Sequence, residues 1–569
     1  MMAALPTPPE QQRGIGVLEG FTPFPDDFAQ RYRDKGYWED TTLADTFSEV
    51  CKKYAPRVAV CDAKTEVTYA ELDDKATNLA LNFLDIGLRN GDHVVLQLGN
   101  VLEFVYTYFA FLKIGVRPIL ALHTHRYREL KQFVEISKAV AICTADKSKD
   151  CDFGDIVNRI ELEHPTLKTK IMLGEVANGF HSLSGLITKT ATRNPLEIEQ
   201  IQNTIDPCEP ALFLLSGGTT GIPKLIPRTH NDYVCNSKLA AKHTKIESNS
   251  VLLAVLPIAH NLPLACPGMQ GFMLAGAKVV LHKSTRAAEV FGLIEKYKVT
   301  HIHIVPALLI IWMHDPLVKE HDLASIQVIQ SGGQRLQPET RILTERLLIN
   351  CTVQENFGMA EGMLMYVRLD DPLDVRRETV GRAMCADDEI MLLDENDLPV
   401  SPGEVGEFCA RGPYTLRGYF NAPEHNTRAF TKDGFYRSGD LMRQHKSGNY
   451  VVEGRKKDLI NRGGEKISAE EVENLILGSP KIKNVACVAM PDPVLGEKMC
   501  AFVILKDNEK LTLDELNKML LKHEIAKFKL PERLEVVDQF PLSTFGKVSK
   551  KDLVAIVAEK LQEGEEGGA

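Results

Sequence analysis

Strand-length apolar runs alternate with longer segments of helical periodicity along most of this chain, and that alternation confines it to a layered α/β architecture more tightly than any other feature. DHVVLQLGN at 92–100 runs into LEFVYTYFAFLKIG, and AKVVLHK, THIHIVP and SIQVIQSGG follow later. The chain has 569 residues, too many for one compact unit, so two or more domains are expected. Gly- and Asp-rich punctuation around 400–450 separates short β runs and predicts a small sheet unit. From Arg455 onward a basic GRKKD turn leads into a different segment: a helix over 469–477, strands CVAMPD and CAFVILK, and a helix over 513–523. The expected division is an extension over 1–40, a large α/β domain of several subdomains (layered sheets plus the small β unit) over 41–455, and a small α+β domain over 456–569.

Three helix starts carry a Ser/Thr-x-x-Glu capping box, in which each side chain satisfies the other's orphan N–H: Thr68 with Glu71, Ser468 with Glu471, and Thr512 with Glu515. Phe104–Leu112 is the most lipid-like stretch, but its nine residues are about half of the roughly 20 a bilayer requires, so a buried helix is expected and no membrane. The Pro-rich start MMAALPTPPEQQRG lacks the pattern of an export signal, and the tail GEEGGA reads as disordered. Twelve cysteines lie scattered singly with no C-x-x-C pair, which fits a reducing cytoplasm. The formal net charge of −10 leaves no global basic surplus for nucleic acid, so an anionic ligand would need local donors.

Such donors gather in ALFLLSGGTTGIPKLIPRTH, residues 211–230. An apolar run able to form a buried strand opens into Ser216, Gly217, Gly218, Thr219, Thr220 and Gly221, followed by Lys224. Glycines admit a ligand close to the backbone, and consecutive N–H groups, hydroxyls and a lysine suit a polyphosphate. The P-loop sequence is absent, because Pro223 precedes Lys224 and a β-like LIPRTH follows where that motif needs Lys-Ser/Thr entering a helix.

SGGTTGIPK resembles the phosphate loop of the adenylate-forming superfamily, which contains acyl-CoA synthetases, luciferases and the adenylation domains of peptide synthetases. Four more motifs follow in the family's order: NFGMAEG at 356–362 is similar to its adenine and magnesium motif, YRSGD at 436–440 to its ribose motif, GRKKDLINRGGEKI at 454–467 to its hinge motif, and FGKVSK at 545–550 to its C-terminal lysine motif. The resemblance implies ATP-binding roles for Asn356, Phe357, Gly358, Met359, Ala360 and Glu361, and for Gly332, Gly333 and Gln334 of the preceding SGGQ run. Glu361 would hold Mg2+, which is usually bound by one or two carboxylates plus substrate phosphates. Asp440 would accept from the ribose hydroxyls, a task suited to a fixed carboxylate. Arg455 would lie near the nucleotide and Lys457 at the pivot about which a mobile C-terminal domain turns. Lys547 is implied as the catalytic ammonium, stabilising charge that builds on phosphorus oxygens when a carboxylate attacks.

LLAVLPIAHNLPLACPG at 252–268 narrows the resemblance to stand-alone aryl-acid adenylating enzymes of siderophore pathways, the salicylate and 2,3-dihydroxybenzoate ligases. Transferred by position, His260 and Asn261 lie at the carboxylate and ring, Cys266 and Leu364 at the ring substituents, and Leu262, Gly332, Gln334, Asn356 and Gly358 complete the acid pocket. Cysteine with leucine at the two substituent positions is associated in the family with salicylate, serine with valine with 2,3-dihydroxybenzoate. A thiol is the weaker hydrogen-bond partner, and the longer leucine takes the room of a 3-hydroxyl. Leu262 stands where the family usually has tyrosine, Asn356 where it has an apolar residue and Gln334 where it has a smaller one. A hydroxypicolinate or an aminobenzoate therefore stays open.

The expected function is a ligase that converts aryl acid and MgATP to aryl-AMP and pyrophosphate, then passes the aryl group to a phosphopantetheine thiol. Gly463 and Gly464 would face the pantetheine arm. Only 22 residues follow Lys547, so the carrier protein is expected in trans. An aryl-CoA ligase using free coenzyme A is the alternative of the same chemistry. A phosphotransferase would release ADP in place of AMP, and a catalytically dead scaffold has no use for Glu361, Asp440 and Lys547 together.

Overall fold

The computed structural model describes residues 17–148, 151–216, 223–333, 336, 338–463, 465–523, 525–542 and 547–566. Among these residues two large sheets form the frame of the N-terminal part. One has nine strands, from Arg382–Ala383 at one edge to Glu66–Thr68 at the other, and the second has seven, from Leu225–Thr229 to His181–Ser182. Helices fill the space between them: one apolar cluster joins Val60 and Leu252 of the first sheet to Val94 and Leu212 of the second through Phe47, Phe83, Phe109 and Phe272. Further helices cover the outer faces, packing Phe291 and Trp312 on the first sheet and Phe133 and Ile160 on the second. The result is five alternating layers, as the α/β alternation predicts.

Local rules account for most boundaries. The expected buried helix is Leu102–Lys113, enclosed along its entire length between the sheets. Reciprocal capping boxes close the starts of Tyr69–Asp85 and Leu513–Lys522 as expected. At Ala469–Leu477 the box is only half made: Ser468 accepts from the Glu471 N–H, while the Glu471 carboxylate is drawn to Lys529 at 2.7 Å. Pro227 lies in Leu225–Thr229, an edge strand, where the missing N–H costs no ladder bond.

The first sheet positions the site. Val251–Ala254, His301–Ile304, Val328–Gly332 and Thr352–Met359 all run parallel, with Ile304 beside Ser331 and Gly332 beside Asn356. Their carboxyl ends therefore open onto one edge, the place where open α/β sheets bind ligands. The chain then turns back antiparallel as Gly362–Tyr366.

The small β unit is a four-stranded antiparallel sheet, Glu389–Leu393, Gly406–Arg411, Tyr436–Gln444 and Tyr450–Arg455. After the single turn Lys456–Asp458 begins the C-terminal unit, a five-stranded sheet with helices Ala469–Leu477, Leu513–Lys522 and Lys550–Glu566. The last helix runs three residues into GEEGGA, which corrects the expectation of a disordered tail there: Lys560 of that helix pairs with Glu535, and its apolar face, through Leu553 and Val557, docks on Phe502. Within the expected extension, helix Asp26–Asp34 and Trp38 pack into the same cluster as Cys266 and Tyr366, and Lys35 pairs with Asp387 at 2.8 Å. No described helix is long and apolar enough to cross a membrane.

Candidate active site

Three loops, one sheet edge and a lysine from the small domain meet at the carboxyl ends of the parallel strands. The first loop springs from the hairpin of Pro210–Leu215 and Leu225–Thr229. Its base is clamped where the Ser216 N–H donates to the Lys224 carbonyl at 3.0 Å and Ser216 Oγ accepts from the Lys224 N–H at 2.9 Å. Gly217, Gly218, Thr219, Thr220 and Gly221 lie outside the described residues. A strand follows the loop, as the LIPRTH pattern predicts. The Lys224 ammonium stands 5.8 Å from the Tyr419 ring centre.

The strand Thr352–Met359 alternates its side chains between two faces. Asn356 and Gly358 face the helices between the sheets, with Gly358 beside Leu364; Phe357 and Met359 face the small β unit, Phe357 meeting Phe408 edge-on at 5.6 Å. The turn after Met359 carries Ala360 and Glu361. Arg228, wholly buried, holds this turn: its Nη1 donates to the Ala360 carbonyl at 3.0 Å, Nη2 to the Tyr414 carbonyl at 3.1 Å and Nε to Asp232 at 2.8 Å. Glu361, almost fully buried, accepts from the Tyr419 hydroxyl at 2.7 Å, and Tyr419 is itself 2.9 Å from the Tyr436 hydroxyl. Burial, then the Glu361 charge, pushes the Tyr419 phenol far above its ordinary range, so it stays a donor. A lone carboxylate of this kind fits Mg2+, which keeps several waters and phosphate oxygens; no cluster of three metal-ligating side chains exists among the described residues.

Beside this turn is a cleft of about 390 Å3, measured out to solvent. His260, Asn261, Leu262 and Cys266 line one wall, Gly333, Asn356, Gly358 and Leu364 the other, and Met359, Ala360 and Lys547 close the rim. The first wall is the short helix Asn261–Ala265, whose start is capped by His260 Nδ1 accepting from the Leu262 N–H at 3.3 Å. Asn261 is fixed by the Tyr233 hydroxyl at 2.9 Å and reaches the Met359 carbonyl at 3.4 Å. Burial first, then Lys547, lowers His260 to about 3, so its imidazole is neutral at physiological pH. Burial pushes the Cys266 thiol up to about 12, which leaves it protonated. Gly332 passes directly under Asn356: a β-carbon there would meet Asn356 Oδ1 at 2.6 Å. Gln334 lies outside the described residues.

Asp440 is buried at the end of the small β unit and takes Arg455 Nε on Oδ1 at 2.7 Å. Lys457 is on the exposed single turn between the two domains, and Gly463 is on an exposed turn with φ +58°, its N–H bonded to the Leu495 carbonyl at 2.8 Å. Gly464 lies outside the described residues. Lys547 reaches the cleft from the small domain and rests over Gly333. Burial, reinforced by Arg455, lowers its ammonium to about 8.

The acid-pocket residues and Lys547 thus line one cleft, Glu361 is on the turn beside it, and Asp440, Arg455 and Lys457 are close enough to act on the Lys547 charge; Gly463 lies further along the small domain. Sequence reasoning missed Arg228, Asp232, Tyr419 and Tyr436. Thr229 with Asp232 was a readable capping signal at the start of helix His230–His243, but Arg228 stands on the preceding strand and its distant partners Ala360 and Tyr414 were not readable.

The chain matches the AMP-binding enzyme family over residues 47–420 and the AMP-binding enzyme C-terminal domain over 471–547. It is 41% identical over 548 residues to the 2,3-dihydroxybenzoate-AMP ligase of Bacillus subtilis, covering 96% of this chain and 99% of that one. It is 43% identical over 544 residues to a salicylyl-CoA synthase / salicylate adenylyltransferase of a Streptomyces species, covering 95% and 98%. Among solved structures it is similar to apo MbtA of Mycobacterium smegmatis, with TM-score 0.72, 38% identity, and 94% and 98% of the two chains covered.

Proposed function

The chain belongs to the AMP-binding enzyme family, and from that premise we propose that it is an aryl-acid AMP ligase acting on salicylate or a closely related acid. The observation that carries the reading is the placement of Lys547 in the same cleft as His260 and Gly333, although Lys547 belongs to a different domain. Two domains converging on one small pocket suits a reaction that joins two substrates.

In the first step a carboxylate oxygen of the acid bonds to the α-phosphorus of ATP, the bond from that phosphorus to the bridging oxygen breaks, and pyrophosphate leaves with the electron pair. Negative charge grows on the α-phosphoryl oxygens, where the Lys547 ammonium is worth more in the transition state than in the ground state. Neutral His260 offers the acid's carboxylate a ring N–H without neutralising its nucleophilicity. The resemblance assigns the β- and γ-phosphates to Ser216, Gly217, Gly218, Thr219, Thr220, Gly221 and Lys224, and the adenosine to Gly332, Gly333, Gln334, Phe357, Met359 and Ala360. Asp440, oriented by Arg455, accepts from the ribose hydroxyls. Glu361, oriented by Tyr419, would hold Mg2+, which neutralises phosphate charge when bound. The acid's ring lies among Asn261, Leu262, Cys266, Asn356, Gly358 and Leu364.

In the second step a phosphopantetheine thiol attacks the acyl carbon and AMP leaves. The acceptor is a carrier protein in trans, for whose pantetheine arm the resemblance designates Gly463 and Gly464 once the small domain rotates about Lys457. Free coenzyme A is the other acceptor in view, since one similar protein is named for salicylyl-CoA synthesis. Thioester yields with coenzyme A and with a loaded carrier separate the two.

The deciding measurement is acid-dependent exchange of pyrophosphate into ATP across salicylate, 2,3-dihydroxybenzoate, benzoate, anthranilate and 3-hydroxypicolinate. Exchange with salicylate above benzoate is expected. If none of the five supports exchange, the aryl-acid reading fails.

A further inference from the structure

Behind the cleft the sheet carries an unusual set of buried polar side chains. Parallel register sets His303 beside Gln330 and Gly332 beside Asn356, and the antiparallel return sets Asn356 beside Tyr366. All of these point to the sheet face that packs on Cys266 and helix His230–His243. Tyr366 and Cys266 share one apolar cluster, and Gln330 stands against the Tyr366 phenol. From the opposite side Asn236 approaches, fixed by its Nδ2 donating to the Ala265 carbonyl at 2.7 Å.

Six atoms of this group are sealed from solvent without a well-formed hydrogen bond among the described residues: Asn356 Oδ1, Gln330 Oε1, Asn236 Oδ1, the Tyr366 hydroxyl oxygen and both ring nitrogens of His303. Gln330 and the Tyr366 phenol stand within reach of each other, as do Asn236 and the Cys266 thiol, which leaves Asn356 Oδ1 as the one of them that lines the cleft. The residues are at most 6% exposed. An amide oxygen buried without a donor is costly, and Asn356 Oδ1 is the one that a molecule in the cleft can reach. That oxygen, like those of Gln330 and Asn236, can only accept. The match for Asn356 is a ligand with an N–H or O–H group, and a bare ring nitrogen, itself an acceptor, leaves its oxygen unpaired.

Resting on the aryl-acid reading above, we propose that Asn356, with Tyr366 and Gln330 behind it, selects acids whose ring carries a hydrogen-bond donor on the edge remote from the carboxylate. His260 and Lys547 mark the carboxylate end of the cleft, Cys266, Leu364 and Asn356 the ring end. The donor is met by the Asn356 amide oxygen beside Cys266 and Leu364, which replaces the expectation that Leu364 fills the room of a 3-hydroxyl. Benzoates with an amino or hydroxy group at that edge belong to this class, with or without the 2-hydroxyl of salicylate; a ring unsubstituted there, as in benzoate and in salicylate itself, or with a pyridine nitrogen there, does not, so among the related acids of the reading above the proposal favours 2,3-dihydroxybenzoate over salicylate. A site built to bond a substrate hydroxyl or amine rejects the analogue that lacks it far more strongly than an apolar pocket can.

The test is pyrophosphate exchange with benzoate, 3-aminobenzoate, 3-hydroxybenzoate, 2,3-dihydroxybenzoate and nicotinate, for the native enzyme and for Asn356→Leu and Tyr366→Phe. The native enzyme is expected to favour a donor-bearing acid over both benzoate and nicotinate by at least about tenfold in kcat/KM. Asn356→Leu, nearly the same size, is expected to shrink that ratio about tenfold, and Tyr366→Phe by a smaller factor. Melting temperatures of both variants, compared with the native enzyme, separate a selectivity change from loss of fold. A ratio that Asn356→Leu leaves unchanged overturns the proposal and assigns the buried groups to water alone. A native enzyme that prefers nicotinate overturns it as well. Absence of exchange with every aryl acid, by contrast, sinks the underlying reading of the site.

Discussion

Lys547 lies so close over Gly333 that a β-carbon built at Gly333 would stand 2.7 Å from its Cε and 3.1 Å from its Nζ. Gly333 directly follows the strand Val328–Gly332 of the large domain, and Lys547 comes from the small one, so this contact is where the two domains share the reaction site. Gly333 also has φ +88°, a conformation that L side chains rarely adopt.

Gly333→Ala therefore meets two obstacles, backbone strain of about 1–2 kcal/mol and displacement of Lys547. Acid-dependent pyrophosphate exchange is expected to drop roughly 5- to 30-fold. Thioester formation from supplied aryl-AMP, which does not need Lys547 over Gly333, is expected to change far less.

The lowered ammonium of Lys547 sets a pH limit. Burial brings its pKa to about 8, so the charged form is lost as pH rises through that value. In the free enzyme, kcat/KM for adenylation is expected to be level near pH 7 and to decline above about 8, approaching tenfold per pH unit. Lys547→Arg keeps its charge throughout and should show no such limb, at a lower overall rate. A profile of the same shape in both proteins would count against Lys547 as the titrating group.

Lys457 sits on a one-turn link between strands Tyr450–Arg455 and Leu459–Arg462. Proline there fixes φ near −65° and removes an N–H, which restricts rotation of the link. Lys457→Pro is expected to keep exchange within a few-fold of native while thioester formation falls by more than about tenfold. Equal losses in both steps would argue against the pivot.

Arg228 and Asp232 form an ion pair inside the large domain, both almost inaccessible to water. Asp232→Ala strands a buried guanidinium at an expected cost of about 3–5 kcal/mol, read as a lower urea midpoint. Because Arg228 also holds the Ala360 carbonyl, exchange should decline even at temperatures where the variant is folded.

The alternation of strand and helix patterns along the chain carried the layered fold, since each period of 2 or 3.6 is a local property that packing then uses. The meeting of Ser216, Glu361, Asp440 and Lys547 was legible only through the family resemblance, because they come from a hairpin, a turn, an antiparallel sheet and the small domain, which no local period connects. Local reasoning failed where a partner lies far along the chain. Ser468 makes only half of its box because Lys529 draws Glu471 away, and the final helix continues past Gly564 because Leu553, Val557 and Lys560 find partners on the small domain's sheet. Asn356 shows the division most clearly. Its identity as a departure from the family pattern was visible in the sequence, whereas its unpaired oxygen, and the company of Tyr366, Gln330 and Asn236, exist only once four separate segments are packed face to face. Hydrogen-bond satisfaction is a property of neighbours in space, and the sequence specifies those neighbours only through the completed fold.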